Sequence, residues 1–256
     1  MEKRRSLLML GEFSIVFFAL WLAVVALFLY SAFWAFTIWR ILVAGLYRRQ
    51  AFWVGAMGVY FVMLSGFLSI ALTLELSSLF VDIPGAIIIS AGFVLIFLWI
   101  DSTVRIARRS DPLFRDTLRW SKLRYLFWVA TVGGAVSAFY TSIISGFAAA
   151  APFGGALFFG AIALYLSAKR SGDRTLRRHL SWTALCIFLL WLASQIQQPL
   201  SDYVTDPYFA QSLTWPLVLA GAYSLYKSAR SLVPMGHLKS LETGPTIGPQ
   251  PSGTTS

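Results

Sequence analysis

Charge is the scarcest commodity in this chain. Asp, Glu, Lys and Arg make up 12% of its 256 residues, about half the share found in soluble domains, so an ordinary water-facing surface has too few residues to build it. Cysteine is confined to Cys186, which excludes a disulfide framework. Histidine occurs twice, as His179 in a basic stretch and His237 near the C-terminus. The sequence has no H-E-x-x-H zinc helix, no G-x-S-x-G elbow, no G-x-x-x-x-G-K phosphate loop and no Cys–His pairing at depth. The common catalytic and metal chemistries lack their residues, and the chain reads as a non-enzyme with no cofactor. No stretch shows the polar-apolar alternation of barrel strands.

What is present is apolar: 57% of the residues, of which 10 are Trp and 21 Phe. A bilayer core about 30 Å thick is crossed by about 20 apolar residues in helical form, because the helix satisfies its own backbone polar groups. Seven stretches meet that requirement, at about 13–39, 51–74, 83–100, 125–147, 149–168, 180–198 and 209–226. The last is the least apolar, with Gln211, Thr214 and Pro216 inside it. The expected fold is therefore all-α, a polytopic seven-transmembrane-helix bundle.

The cations give the threading. Lys and Arg accumulate in short loops on the cytoplasmic side. Here all of the 21 Lys and Arg except Lys3, Arg4 and Arg5 follow spans one, three, five or seven. The connections after spans two, four and six hold no Lys or Arg, and carry Glu75, Asp82, Asp202 and Asp206. This alternation predicts an extracytoplasmic N-terminal segment over 1–12, a seven-helix domain over 13–230 and a disordered cytoplasmic tail over 231–256. Glu2 and Glu12 partly offset the three N-terminal cations, so the flank after span one remains the more basic. A cleaved signal peptide fits poorly, because the first apolar run far exceeds a signal's apolar region of roughly 7–15 residues. The net charge of +10 is spread over several loops, an orientation signal rather than a nucleic-acid patch. A multi-pass protein of the plasma membrane, with anionic headgroups against its cytoplasmic face, is the expectation.

Four groups of residues stand out. In span four, Gly133, Ser137, Thr141 and Ser145 alternate with Gly134, Ala138, Ser142 and Gly146 to form one face of small side chains. Such a face allows close helix packing, within the chain or between two copies. Asp101 and Arg105 stand four apart at the end of span three, suited to an ion pair or a cytoplasmic lock. Arg115, Arg119, Lys122 and Arg124 follow Asp111-Pro112, a helix-start signal, and suit an amphipathic helix that anchors to lipid or docks a cytosolic signalling partner. Gln195 and Gln198 on span six lead toward Asp202 and Asp206. With Glu75 and Asp82 they would form a polar outer vestibule for a cation or small polar molecule.

Span seven has no interior lysine, so a retinal Schiff base has no attachment point. The functional expectation is a receptor-like or interaction and signalling membrane protein. The alternative is a small-solute transporter or permease component, against which stands the scarcity of charge at mid-membrane depth.

Overall fold

The computed structural model describes residues 2–42, 45–73, 78–110, 161–162, 164–169, 171–203 and 207–233. Five long helices dominate them: α1 (Glu2–Ile41), α2 (Leu46–Thr73), α3 (Ser78–Ser110), α4 (Arg174–Tyr203) and α5 (Pro207–Arg230). Residues 161–162 and 164–169 are also helical. No strand occurs among the described residues.

The apolar content sets the lengths. At about 1.5 Å per residue the shortest of the five rises about 36 Å, more than the roughly 30 Å of a hydrocarbon core. Within them, three stretches are long and apolar enough to cross a membrane: Ile15–Ile41, Leu46–Phe67 and Arg174–Ile196. Large apolar side chains also face outward along α1, including Ile15, Leu22, Leu29 and Phe33, the last 64% exposed. A helix apolar on every side suits lipid rather than water. Pro84 and Pro216 lie inside α3 and α5 without ending either helix.

Side-chain contacts give each helix its direction. Phe28 stacks on Phe61, and Phe36 meets Phe52, so α1 and α2 run antiparallel. Gly85 lies against Phe67, and Gly92 against the Tyr60 hydroxyl, so α2 and α3 are antiparallel as well. Phe17 meets Trp215 while Tyr30 meets Tyr226, which makes α1 and α5 parallel. Trp182 meets Tyr223, and Leu190 lies against Gly221, so α4 opposes α5. The packing order is α4, α5, α1, α2, α3, with a narrow contact between α3 and α4.

These directions gather the helix-borne cations. Arg40 in the last turn of α1, Arg48 and Arg49 on α2, Arg105 on α3, Arg174, Arg177 and Arg178 on α4, and Lys227 and Arg230 on α5 all belong to one end of the assembly, called the basic end below. Lys3, Arg4 and Arg5, in the first turns of α1, sit at the other. The N-terminal segment expected before span one is thus a continuation of the first helix.

Close approach depends on small residues. A Cβ on Gly58 would lie 2.8 Å from the Phe28 carbonyl oxygen and 3.0 Å from the Ala32 Cβ. A backbone carbonyl cannot swing aside as a side chain can, so glycine sets the α1–α2 separation there.

Candidate functional site

The described residues hold one concentration of buried polar side chains bridging several helices, at the basic end. It begins with the entry into α4. The Ser171 carbonyl receives both Nε and Nη2 of Arg177, at 3.1 and 2.9 Å. Asp173 Oδ1 accepts the Thr175 amide at 2.7 Å, an N-cap that starts the helix immediately after a short turn. The cap places His179 in the second turn of α4, fully buried, with Leu176, Leu180 and Thr183 buried on either side of it.

His179 therefore departs from the sequence reading of a basic-stretch residue outside the apolar spans. Its ring lies between α2 and α5. Nε2 is 3.2 Å from Gln50 Nε2, while Nδ1 is 3.1 Å from the Ser228 carbonyl oxygen and 3.2 Å from the Ser231 hydroxyl. An amide nitrogen only donates and a carbonyl oxygen only accepts, so these neighbours select the neutral imidazole protonated at Nδ1. Gln50 Nε2 also donates to Thr103 Oγ1 at 2.7 Å, and Thr103 donates to the Trp99 carbonyl at 2.8 Å. Thr183 and Ser228 exchange a hydroxyl hydrogen bond at 2.8 Å. One continuous seam thus ties α2, α3, α4 and α5.

The seam is incompletely satisfied. Gln50 Oε1 and Ser102 Oγ are buried without a hydrogen-bond partner. Each is a group for which partnering would be favourable, because an unmade buried hydrogen bond costs about 1–3 kcal/mol. Rotating the Gln50 amide would set its oxygen against the unprotonated Nε2 and against Thr103 Oγ1, whose hydrogen is given to the Trp99 carbonyl, so these neighbours hold the amide in the orientation seen.

Asp101 and Arg105 form an ion pair beside this seam on α3. Asp101 Oδ2 receives Nε and Nη2 of Arg105, both at 2.9 Å. The carboxylate is buried, and the guanidinium is about a third exposed.

The other sequence-selected residues are less closely described. Gln195 is exposed on α4, one helical turn beyond Trp191. It lies 16 residues from His179, which at about 1.5 Å each places it some 24 Å away, toward the end opposite the seam. Asp82 is on α3, while Gln198 and Asp202 are on α4. Glu75 and Asp206 lie outside the described residues, as do Gly133, Gly134, Ser137, Ala138, Thr141, Ser142, Ser145, Gly146, Arg115, Arg119, Lys122 and Arg124. Among the described residues no three His, Cys, Asp or Glu side chains cluster to hold a metal. Cys186 is buried in the α4 core.

Sequence reasoning missed His179, Gln50, Thr103, Thr183 and Ser228. A usable signal was present: His179 and Thr183 stand four apart on one helix, and Ser224, Ser228 and Ser231 stand at four- and three-residue intervals on another. Comparison of the chain with protein-family models, curated proteins and solved structures finds no match.

Proposed function

We propose that this chain is a seven-span plasma-membrane protein with its N-terminus outside, acting as a receptor-like or signalling membrane protein. Its basic end faces anionic headgroups and a cytosolic partner, and its opposite end carries the polar vestibule. Helix direction supports the count. α3 ends and α4 begins at the same end, so the chain between them crosses an even number of times or not at all. The apolar stretches 125–147 and 149–168 would supply two crossings. The positive-inside tendency assigns the basic end to the cytoplasm.

The observation that carries the signalling reading is the seam around His179. It joins four helices at the end from which a cytosolic partner would read them. It holds those helix ends by directional hydrogen bonds, so a partner that bound one arrangement of the ends better than another would shift their populations. The Asp101–Arg105 pair beside it would act as the lock on α3.

A second reading, a small-solute transporter, is favoured by one feature: a buried imidazole in a membrane-spanning stretch is a common element of proton relays. Proteoliposome uptake separates the two. The signalling reading expects no flux of sugars, amino acids or protons for the wild type or Gln195→Ala. Robust wild-type flux that falls in Gln195→Ala would replace it with the transporter. Charge reversal of Arg115 and Arg119 to Glu is expected to abolish co-purification of a cytosolic kinase or regulator.

A further inference from the structure

One exposed face of α5 changes character along its length. Leu213, Pro216, Ala220 and Tyr223 are exposed at helical spacing, and Lys227 and Arg230 continue the same face. From Leu213 to Tyr223 the rise is about 15 Å, the depth of one leaflet of a roughly 30 Å hydrocarbon core. The face is apolar for one leaflet and then cationic.

The cations are held on aromatic rings. Lys227 Nζ sits 5.1 Å from the centroid of Tyr223, and Arg230 Nη1 donates to the Tyr226 hydroxyl at 3.1 Å. Tyr223 and Tyr226 lie 6.2 Å apart, flanked by Trp182 of α4 and by Tyr30 of α1. Trp34 adds an edge contact to Tyr30. Tyr and Trp gather at the headgroup level of bilayers because their rings are apolar and their tips polar. Neither Lys227 nor Arg230 has a carboxylate partner among the described residues, and α5 contains no Asp or Glu. An apolar track one leaflet long that ends in two cations fits an amphiphile with an anionic head.

From this arrangement, and resting on the membrane threading proposed above, we infer a binding site for one acidic phospholipid of the leaflet at the basic end. Its phosphate bridges Lys227 and Arg230, its glycerol level rests on Tyr223, Tyr226 and Tyr30, and an acyl chain lies along Ala220, Pro216 and Leu213. Cation–π and phenol contacts orient the two side chains without neutralising them, which leaves their charge for the phosphate.

Native mass spectrometry of the full chain in neutral detergent, titrated with phosphatidylglycerol or phosphatidylcholine, tests the site. The wild type is expected to retain phosphatidylglycerol in preference to phosphatidylcholine. Lys227→Gln with Arg230→Gln is expected to weaken that retention roughly thirtyfold, since each cation near a charged surface contributes a factor of about five. Arg174→Gln with Arg178→Gln, exposed cations at the same end but on α4 and outside the site, serves as the control and is expected to leave the preference for phosphatidylglycerol in place. Equal retention by the Lys227/Arg230 variant would overturn the site, as would an equal loss in the control pair. Displacement by matched inorganic phosphate would also overturn it, by showing a phosphate site rather than a lipid site.

Discussion

Between α1 and α2 the contact is dry. Phe28 stacks on Phe61 at 4.8 Å, Phe36 and Trp39 meet Phe52, and Gly58 admits the Phe28 carbonyl. Trp21 donates a hydrogen bond across it to the Ser65 carbonyl at 3.3 Å. Around His179 the ends of α2, α3, α4 and α5 are joined by an amide, an imidazole and hydroxyls, with one amide oxygen left over. A shape-matched apolar contact has one good arrangement, because dispersion is lost steeply when surfaces separate. A hydrogen-bonded seam is fixed by matched donors and acceptors, and an unmatched oxygen such as Gln50 Oε1 leaves it one favourable bond short. Shape matching and polar matching thus hold different interfaces of one molecule.

The sharpest way to break this contrast is to overpack the dry side. Gly58→Leu is expected to destabilise the protein by about 3 kcal/mol, since the new side chain meets a backbone carbonyl that cannot yield. Thermal unfolding in detergent checks this, and a change within error would remove glycine as the determinant of the α1–α2 spacing.

On the polar side, His179→Ala removes one acceptor of the Gln50 amide and one of the two donors to the Ser228 carbonyl and is expected to cost about 2 kcal/mol. His179→Gln, which can both donate and accept, should recover part of that loss. If alanine and glutamine behave alike in the same melt, the seam is apolar packing in disguise.

Arg105→Gln should cost about 1–2 kcal/mol, because it takes the countercharge from the buried Asp101 carboxylate while the guanidinium itself is partly solvated. Raising the salt concentration should shrink the difference between the two proteins. The smallest effect is the pairwise one. A double-mutant cycle between Gln50→Leu and His179→Phe should give a coupling near 0.6 kcal/mol, the average for interhelical hydrogen bonds in membranes. Zero coupling would separate α2 from α4 and leave the seam in two pieces.

The helices themselves were legible because a long apolar run offers the backbone few other solutions: α1 and α3 contain the runs read at 13–39 and 83–100, and α2 covers the run read at 51–74 as far as Thr73. The Asp101–Arg105 ion pair was legible for a similarly local reason: four-residue spacing alone brings the groups together. Gln50 and Thr103 were not legible, because they are 53 residues apart and meet only when α2 packs on α3. His179 was obscured by its neighbours. Arg174, Arg177 and Arg178 suggested a solvated loop, yet Asp173 caps the helix, and Arg174 and Arg178 occupy the exposed side while His179 faces inward. Local charge reported the side of the helix that meets water, and the buried side was visible only in the spacing of polar residues on two separate helices.

The proposed threading requires helix ends to alternate across the membrane. Single cysteines at Gly45, Asp82 and Arg174, probed with an impermeant maleimide in vesicles of known orientation, test it directly, since buried Cys186 should stay silent. Gly45→Cys and Arg174→Cys are expected to react from the cytoplasmic side and Asp82→Cys from the opposite side. Reaction of Asp82→Cys and Arg174→Cys from the same side would contradict the threading and the function proposed from it.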